Sequence, residues 1–370
     1  MSAPVTEQRR ESAPPKPPKP AIIDCDVHNA VRQPSDLHAY LPRRWHTYFD
    51  QGTPYGGAGV GQEVGARPQQ DIFRRDSVVD GRPGGSDLSL MQEQLLDRHN
   101  VSKAIVHPVI SVLRAPKEGP LAGAVARAIN EWMQDEWLAR DSRLYGAISV
   151  PVEDGVLAAR EVERAADNPR MVKVMLPSLT REGLGNGKYW PLYEAAAAHR
   201  LPIAIHVAGF SGTHSATGWP TYFVEHHTAL AQSFQAHVVS LVSSGVFARF
   251  PELRIVLEEG GLGWLPSLLW RLDHSWETMR DRVPHLTEPP SVIVRHHFAM
   301  TTQPLDEPDR AHQLLDLLQQ IDMNDRIMFA SDYPHWDFDD PDRVLPASVI
   351  GQDLRRKIFS DNAAAFFALA

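Results

Sequence analysis

Eight short apolar segments, most of them followed by a longer stretch patterned for helix, constrain this chain more than any other feature. Ile22–Val27, Lys103–Val109, Tyr145–Val150, Met171–Leu176, Ile203–His206, Arg254–Glu258, Val292–Met300 and Ile327–Ala330 read as buried strands. Helix is predicted over Asp87–Arg98, Gly119–Ala139, Gly155–Ala166, Tyr189–His199, Phe223–Phe247, Gly263–Asp281 and Asp309–Gln319. A βα unit repeated in this way closes most economically as a single (β/α)8 barrel, which 370 residues accommodate.

Two regions stand outside that alternation. Residues 1–20 are rich in Pro, Ser and charge and too poor in apolar groups to fold, so a disordered Pro-rich tail is expected ahead of a barrel over 21–370. The connection after the first strand, 29–102, is far longer than the others, and Gln51–Gly85 within it is Gly-rich and aperiodic. That insertion reads as a lid or substrate loop, with disorder the alternative.

Acidic residues outnumber basic ones 46 to 37, which removes the surplus of cations that nucleic-acid binding requires. Cys25 is the only cysteine, so no disulfide forms within the chain. No apolar run approaches the roughly 20 residues that span a bilayer, and the first twenty residues lack a signal-peptide core. A cytoplasmic protein without a membrane partner is the expectation.

Barrel active sites lie at the C-terminal ends of the strands. The first strand ends in Asp26-Val27-His28, whose two reactive side chains share one side. The fifth ends in His206, the sixth in Glu258-Glu259 and the eighth in Ser331-Asp332, with His335 three residues on. Each alone reads as a cap, a turn or a core histidine. Together on one rim, two carboxylates and two imidazoles suit a divalent cation with positions left for water and substrate. Lys173 interrupts an apolar strand and reads as a residue that orients substrate or supports the site. Arg74 is a candidate clamp for a substrate carboxylate, against a plain solvated charge. His227 opens the helix after the fifth strand within reach of substrate. Trp190, Trp264 and Trp336 near the rim suggest a cyclic or aromatic small molecule. The glycines of Gly183–Gly187 and Gly260–Gly263 lack a nucleotide-loop pattern, and Gly260-Gly261 suit a tight turn instead.

The pieces IIDCDVH, PIAIH, FPELRIVLEEGGLGWLPSLLWRLD, TTQP and MFASDYPHWD occur in one order from Ile22 to the C-terminus. In these the chain resembles the amidohydrolase-related TIM-barrel metal enzymes, the amidohydrolase-2 branch that includes aminocarboxymuconate-semialdehyde decarboxylase. The resemblance implies Asp26, His28, His206 and Asp332 as ligands to one divalent metal, and a homodimer or larger assembly. Decarboxylases of the branch commonly carry His-x-His on the first strand and a proton-handling His on the sixth. Here Asp26 and Glu259 stand in those places. The extra carboxylate makes the site harder, so Mn²⁺ rivals the expected Zn²⁺. Hydrolysis by a metal-activated water, with Glu259 or His335 moving the proton, is the leading expectation. Decarboxylation of an aromatic or enol-type acid is the alternative in the same site, and a barrel that binds ligand without turnover is the alternative of another class.

Overall fold

The computed structural model describes residues 20–52, 72–108, 119–207 and 220–369. Its strands are β1 (Ile22–Asn29), β2 (Val101–Pro108), β3 (Leu144–Ser149), β4 (Met171–Pro177), β5 (Ile203–His206), β6 (Ile255–Glu258), β7 (Phe298–Thr301) and β8 (Ile327–Met328). They form one eight-stranded sheet in chain order, each parallel to the next. Between β8 and β1 the sheet is closed by the chain that follows β8. Cys25 N–H donates to Phe329 O (3.0 Å), Asp332 N–H to Asp26 O (3.1 Å) and His28 N–H to Tyr333 O (2.7 Å). The result is the (β/α)8 barrel that the alternation predicts.

The strands are apolar along nearly their whole length because helices cover one face and the barrel interior the other. Ile23, Cys25, Ile105, Ala147, Val172, Met175, Ala204, Val256, Ala299 and Met328 make one buried interior cluster. Phe366, Phe367 and Leu369 pack onto that cluster, and Arg254, just ahead of β6, donates to Phe366 O at 2.6 Å. The C-terminal segment therefore stoppers the end of the barrel opposite the strand C-termini. A second, larger cluster lies between strands and helices.

The register of β1 against β2 shifts between Asp24 and Val27. Ile23 and Cys25 belong to the interior cluster, whereas Val27 belongs to the outer one. The irregularity thus changes which positions face inward, and it brings Asp26 and His28 to the top of the interior.

Two elements differ from the sequence reading. Val292–His297 is not strand; Pro290–His297 is a helix and β7 begins only at Phe298. Its β-branched run suggested extended chain, but Pro290 at the first helical position and the burial of Ile293, Val294 and His297 at helical spacing set the outcome. The predicted helix over Phe223–Phe247 is three pieces, Phe223–Ala229, Ala231–Ser243 and Val246–Arg249, the last break falling at Gly245 with φ 70°.

In the long β1–β2 connection, short helices at Pro34–Ala39, His46–Gly52 and Leu88–Met91 accompany its return to β2. The Pro-rich tail (1–19) and the Gly-rich stretch 53–71 lie outside the described residues. No helix among the described residues is long and apolar enough to cross a membrane.

Candidate metal centre

Asp26, His28, His206 and Asp332 come together at the C-terminal rim, buried to 3% exposure or less. His206 Nε2 lies 3.2 Å from Asp26 Oδ2, and His28 Nε2 lies 2.8 Å from Asp332 Oδ1. His206 Nδ1–H donates to Val207 O at 2.9 Å, which leaves the Nε2 lone pair pointing at the carboxylate. Asp26 Oδ2, His28 Nε2 and His206 Nε2 are buried with no hydrogen-bond partner. Buried carboxylate and imidazole atoms left without hydrogen bonds around one point of a closed site fit a divalent cation, which would bind them all. The donor set therefore fits a metal of the Zn²⁺ or Mn²⁺ kind.

Electrostatics within the cluster pull both ways: although burial opposes it, Asp26 holds His206 above the ordinary imidazole value, and Asp332 does the same for His335. Burial alone raises a carboxyl, but the imidazoles of His206, His107 and His28 outweigh it and hold Asp26 well below its ordinary range. Asp332 is pushed up to about 6, first by burial, despite His335 beside it. Glu259 goes well above the usual carboxyl range through burial and then the charges of Asp332 and Asp26. Burial pushes His107 down to about 3 and His28 well below the ordinary imidazole value.

Glu259 and His335 flank the four. Glu259 Oε2 is 3.1 Å from His206 Nε2, and its Oε1 is 4.0 Å from His335 Nδ1. His335 Nδ1 contacts Asp332 Oδ1 at 2.6 Å, and its Nε2 is buried without a partner. Glu259 and Asp332 both hold left-handed backbone, with φ 63° and 58°. Such conformations cost about 1–3 kcal/mol for a residue with a side chain and concentrate at functional sites. Beyond Glu259 the chain turns through Gly261 at φ 67°. Asp306 pins that turn by accepting from Leu262 N–H (2.8 Å) and Gly263 N–H (2.6 Å).

Three further residues join the site that strand-end reading passed over. His107, at the end of β2, has no exposure, and its Nε2 is in hydrogen-bond contact with Asp26 Oδ1. Its signal was present: KAIVH ends its strand in histidine as PIAIH does. Gln303, after β7, donates from Nε2 to Asp332 Oδ2 (3.0 Å) and Asp337 Oδ2 (3.2 Å). Asp337 in turn contacts His227 Nε2 at 3.1 Å.

His227 therefore sits at the rim, its ring 5.4 Å from that of Trp336. Of the two roles expected for Lys173, the structure places it in the supporting one rather than against substrate. Its ammonium is fully buried and donates to Cys25 O (2.8 Å) and to Glu258 Oε1 and Oε2 (2.7 and 2.8 Å), so no donor remains. Arg74 is likewise engaged as a clamp on a protein carboxylate, from Nε to Asp76 Oδ1 (3.0 Å) and from Nη2 to Oδ2 (2.7 Å). Its neighbour Phe73 bridges to His335, which ties the insertion to the site loop. Of the three tryptophans expected at the rim, Trp336 is there at 46% exposure. Trp190 packs on Phe250 under Arg249, and Trp264 donates to Gly260 O within its own turn.

The amidohydrolase family model matches residues 23–369, nearly the whole described chain. A gamma-resorcylate decarboxylase of Rhodococcus jostii is 26% identical over 302 residues, 76% of this chain and 88% of that protein. Among solved structures, the dihydroxybenzoic acid decarboxylase of Polaromonas sp. JS666, with bound manganese and 2-nitroresorcinol, is similar with a TM-score of 0.64. It is 20% identical, covering 94% of this chain and 97% of that one. The 5-carboxyvanillate decarboxylase of Novosphingobium aromaticivorans, also with manganese, gives a TM-score of 0.66 at 19% identity over 94% of this chain and 96% of that one. The chain belongs to the amidohydrolase family.

Proposed function

We propose that this enzyme is a metal-dependent decarboxylase of a hydroxylated aromatic carboxylic acid. The observation that carries the reading is that four relatives, each spanning three quarters of the chain, are gamma-resorcylate decarboxylases. Hydrolysis, the leading expectation from the sequence, has less support than this alternative, because none of those relatives is named a hydrolase.

Asp26, His28, His206 and Asp332 are the residues that hold the cation, with Mn²⁺ favoured by the manganese in the related structures and Zn²⁺ the alternative. When bound, the metal serves as a Lewis acid that anchors and polarises a substrate oxygen. The reaction replaces the ring's carboxylate by a proton: one C–H bond forms, one C–C bond breaks and CO₂ leaves. Glu259, beside His206, is the group that delivers the proton to the ring carbon, and His335 is the second candidate. Gln303 holds Asp332 in place, while Trp336 and His227, tilted 57° to each other, offer aromatic surface at the mouth for a substrate ring.

Incubation of the Mn²⁺-loaded chain with 2,6-dihydroxybenzoate and related hydroxybenzoates in D₂O tests the reading. Deuterium at the ring carbon that bore the carboxylate, with one CO₂ per arene, is the expected result. Oxygen from H₂¹⁸O entering an organic product of an ester or amide panel, with no arene from any benzoate, overturns it in favour of hydrolysis.

A further inference from the structure

The two carboxylates of the centre are each tied back by a neutral nitrogen donor from another strand or its following loop. Asp332 Oδ2 accepts from Gln303 Nε2 at 3.0 Å. Asp26 Oδ1 accepts from His107, and its other oxygen, Oδ2, has no hydrogen-bond partner. The His107 ring stands edge-on to both neighbouring imidazoles, 4.2 Å from His28 and 4.6 Å from His206 between centroids. It has no exposure and therefore no freedom to swing away.

His107 lies close enough to be a ligand, since it shares a cluster of metal-capable groups with Asp26, His28 and His206. The hydrogen-bond pattern separates it from them. His28 Nε2, His206 Nε2 and Asp26 Oδ2 each lack a hydrogen bond, with Oδ2 3.2 Å from His206 Nε2 and His28 Nε2 2.8 Å from Asp332 Oδ1 and 3.6 Å from Asp26 Oδ1, whereas His107 Nε2 is in hydrogen-bond contact with Asp26 Oδ1. A neutral imidazole has one N–H, and a carboxylate neighbour places it on Nε2. We infer that His107 is a positioning residue: it holds Asp26 by Oδ1 and leaves Oδ2, 3.2 Å from His206 Nε2, as the oxygen offered to the cation, and it thereby sets metal affinity without ligating. Asp26 then binds through one oxygen rather than two. The inference rests on the ligand set proposed above.

The test is Mn²⁺ titration of the metal-free full chain, followed by the electron paramagnetic resonance of free Mn²⁺, in wild type, His107→Leu and His107→Gln. Groups that orient a metal ligand typically contribute 10- to 100-fold in affinity. His107→Leu is expected to weaken Mn²⁺ binding by about that factor. His107→Gln, whose amide N–H replaces the donor, is expected to recover most of it. Nitrogen hyperfine couplings on bound Mn²⁺ should number two in wild type, from His28 and His206, and remain two in His107→Gln. Wild-type affinity in His107→Leu overturns the inference, as does a third nitrogen coupling that His107→Gln abolishes. Should His107→Leu fail to fold, a folded His107→Gln that binds Mn²⁺ as poorly as Asp26→Ala overturns it equally. A wild-type chain that takes up no Mn²⁺ at all overturns the ligand set and this inference with it.

Discussion

Asp332 Oδ1 lies 2.8 Å from His28 Nε2, so the chain leaving the last strand meets the first strand through one pair of buried side chains. The same junction carries the backbone bonds Asp332 N–H to Asp26 O and His28 N–H to Tyr333 O. The site and the closure of the barrel are one structure, and ligand binding there couples directly to stability.

Removing the metal should therefore destabilise the fold. A ligand present at 100 times its dissociation constant stabilises the native state by about 2.7 kcal/mol. Chelation of Mn²⁺-loaded protein should lower the thermal midpoint, and readdition of Mn²⁺ should restore it. Asp26→Ala and His206→Ala should lower metal content sharply. Full occupancy in both variants, measured by elemental analysis, would refute the ligand set.

Glu259→Gln keeps the size of the side chain and removes its proton. Loss of a general acid typically costs 10²- to 10⁴-fold in rate. The variant should show a fall in kcat of that order on a hydroxybenzoate substrate with metal content close to wild type. Initial rates of CO₂ release alongside metal analysis decide this; an unchanged kcat assigns the proton to another group, with His335→Gln the next variant.

Lys173 and Glu258 form a fully buried pair inside the barrel. Replacing one partner strands the other as an uncompensated charge, at about 3–5 kcal/mol. Lys173→Met should be destabilised by that amount in urea unfolding. Lys173→Met combined with Glu258→Leu should regain most of the loss. Equal stabilities of the single and double variants would contradict the pairing.

His237 offers a pH dependence away from the metal. Its Nε2–H donates to Ser178 O at 2.7 Å and its Nδ1 accepts from Leu184 N–H at 3.3 Å, so the folded state holds the neutral ring. Burial lowers its pKa below the ordinary 6.5. At pH above 6.5 neither folded nor unfolded chain is protonated there, and the full stability is present. As pH falls below 6.5 the unfolded chain takes up a proton that the folded one refuses, and stability drops. His237→Gln, which keeps a donor and an acceptor, should flatten the fall in unfolding midpoint between about pH 7 and 5. A slope identical to wild type would show that other groups carry it.

The barrel was legible because βα alternation and the strand lengths are set by local patterning, and Asp26, His28, His206 and Asp332 stood out as polar groups ending apolar strands. Val292–Val294 misled because a β-branched run carries the same local signal in either conformation until neighbours choose. Lys173 was visible as an intruder, but its partner Glu258 lies 85 positions away, a distance that no local pattern spans. Gln303 and Asp337 carry no periodic signal at all; a neutral amide becomes informative only once folding sets it between two carboxylates. His107 had the same strand-end signature as His206 and was passed over because a single histidine after an apolar run is usually packing.

The aromatic stopper formed by Phe366 and Phe367 beneath the interior cluster makes the barrel a cup rather than a tube among the described residues. A cup has one mouth, so on the decarboxylase reading proposed above substrate and products would all pass the rim where Trp336 and His227 stand. Changes at that rim should then alter entry and release together.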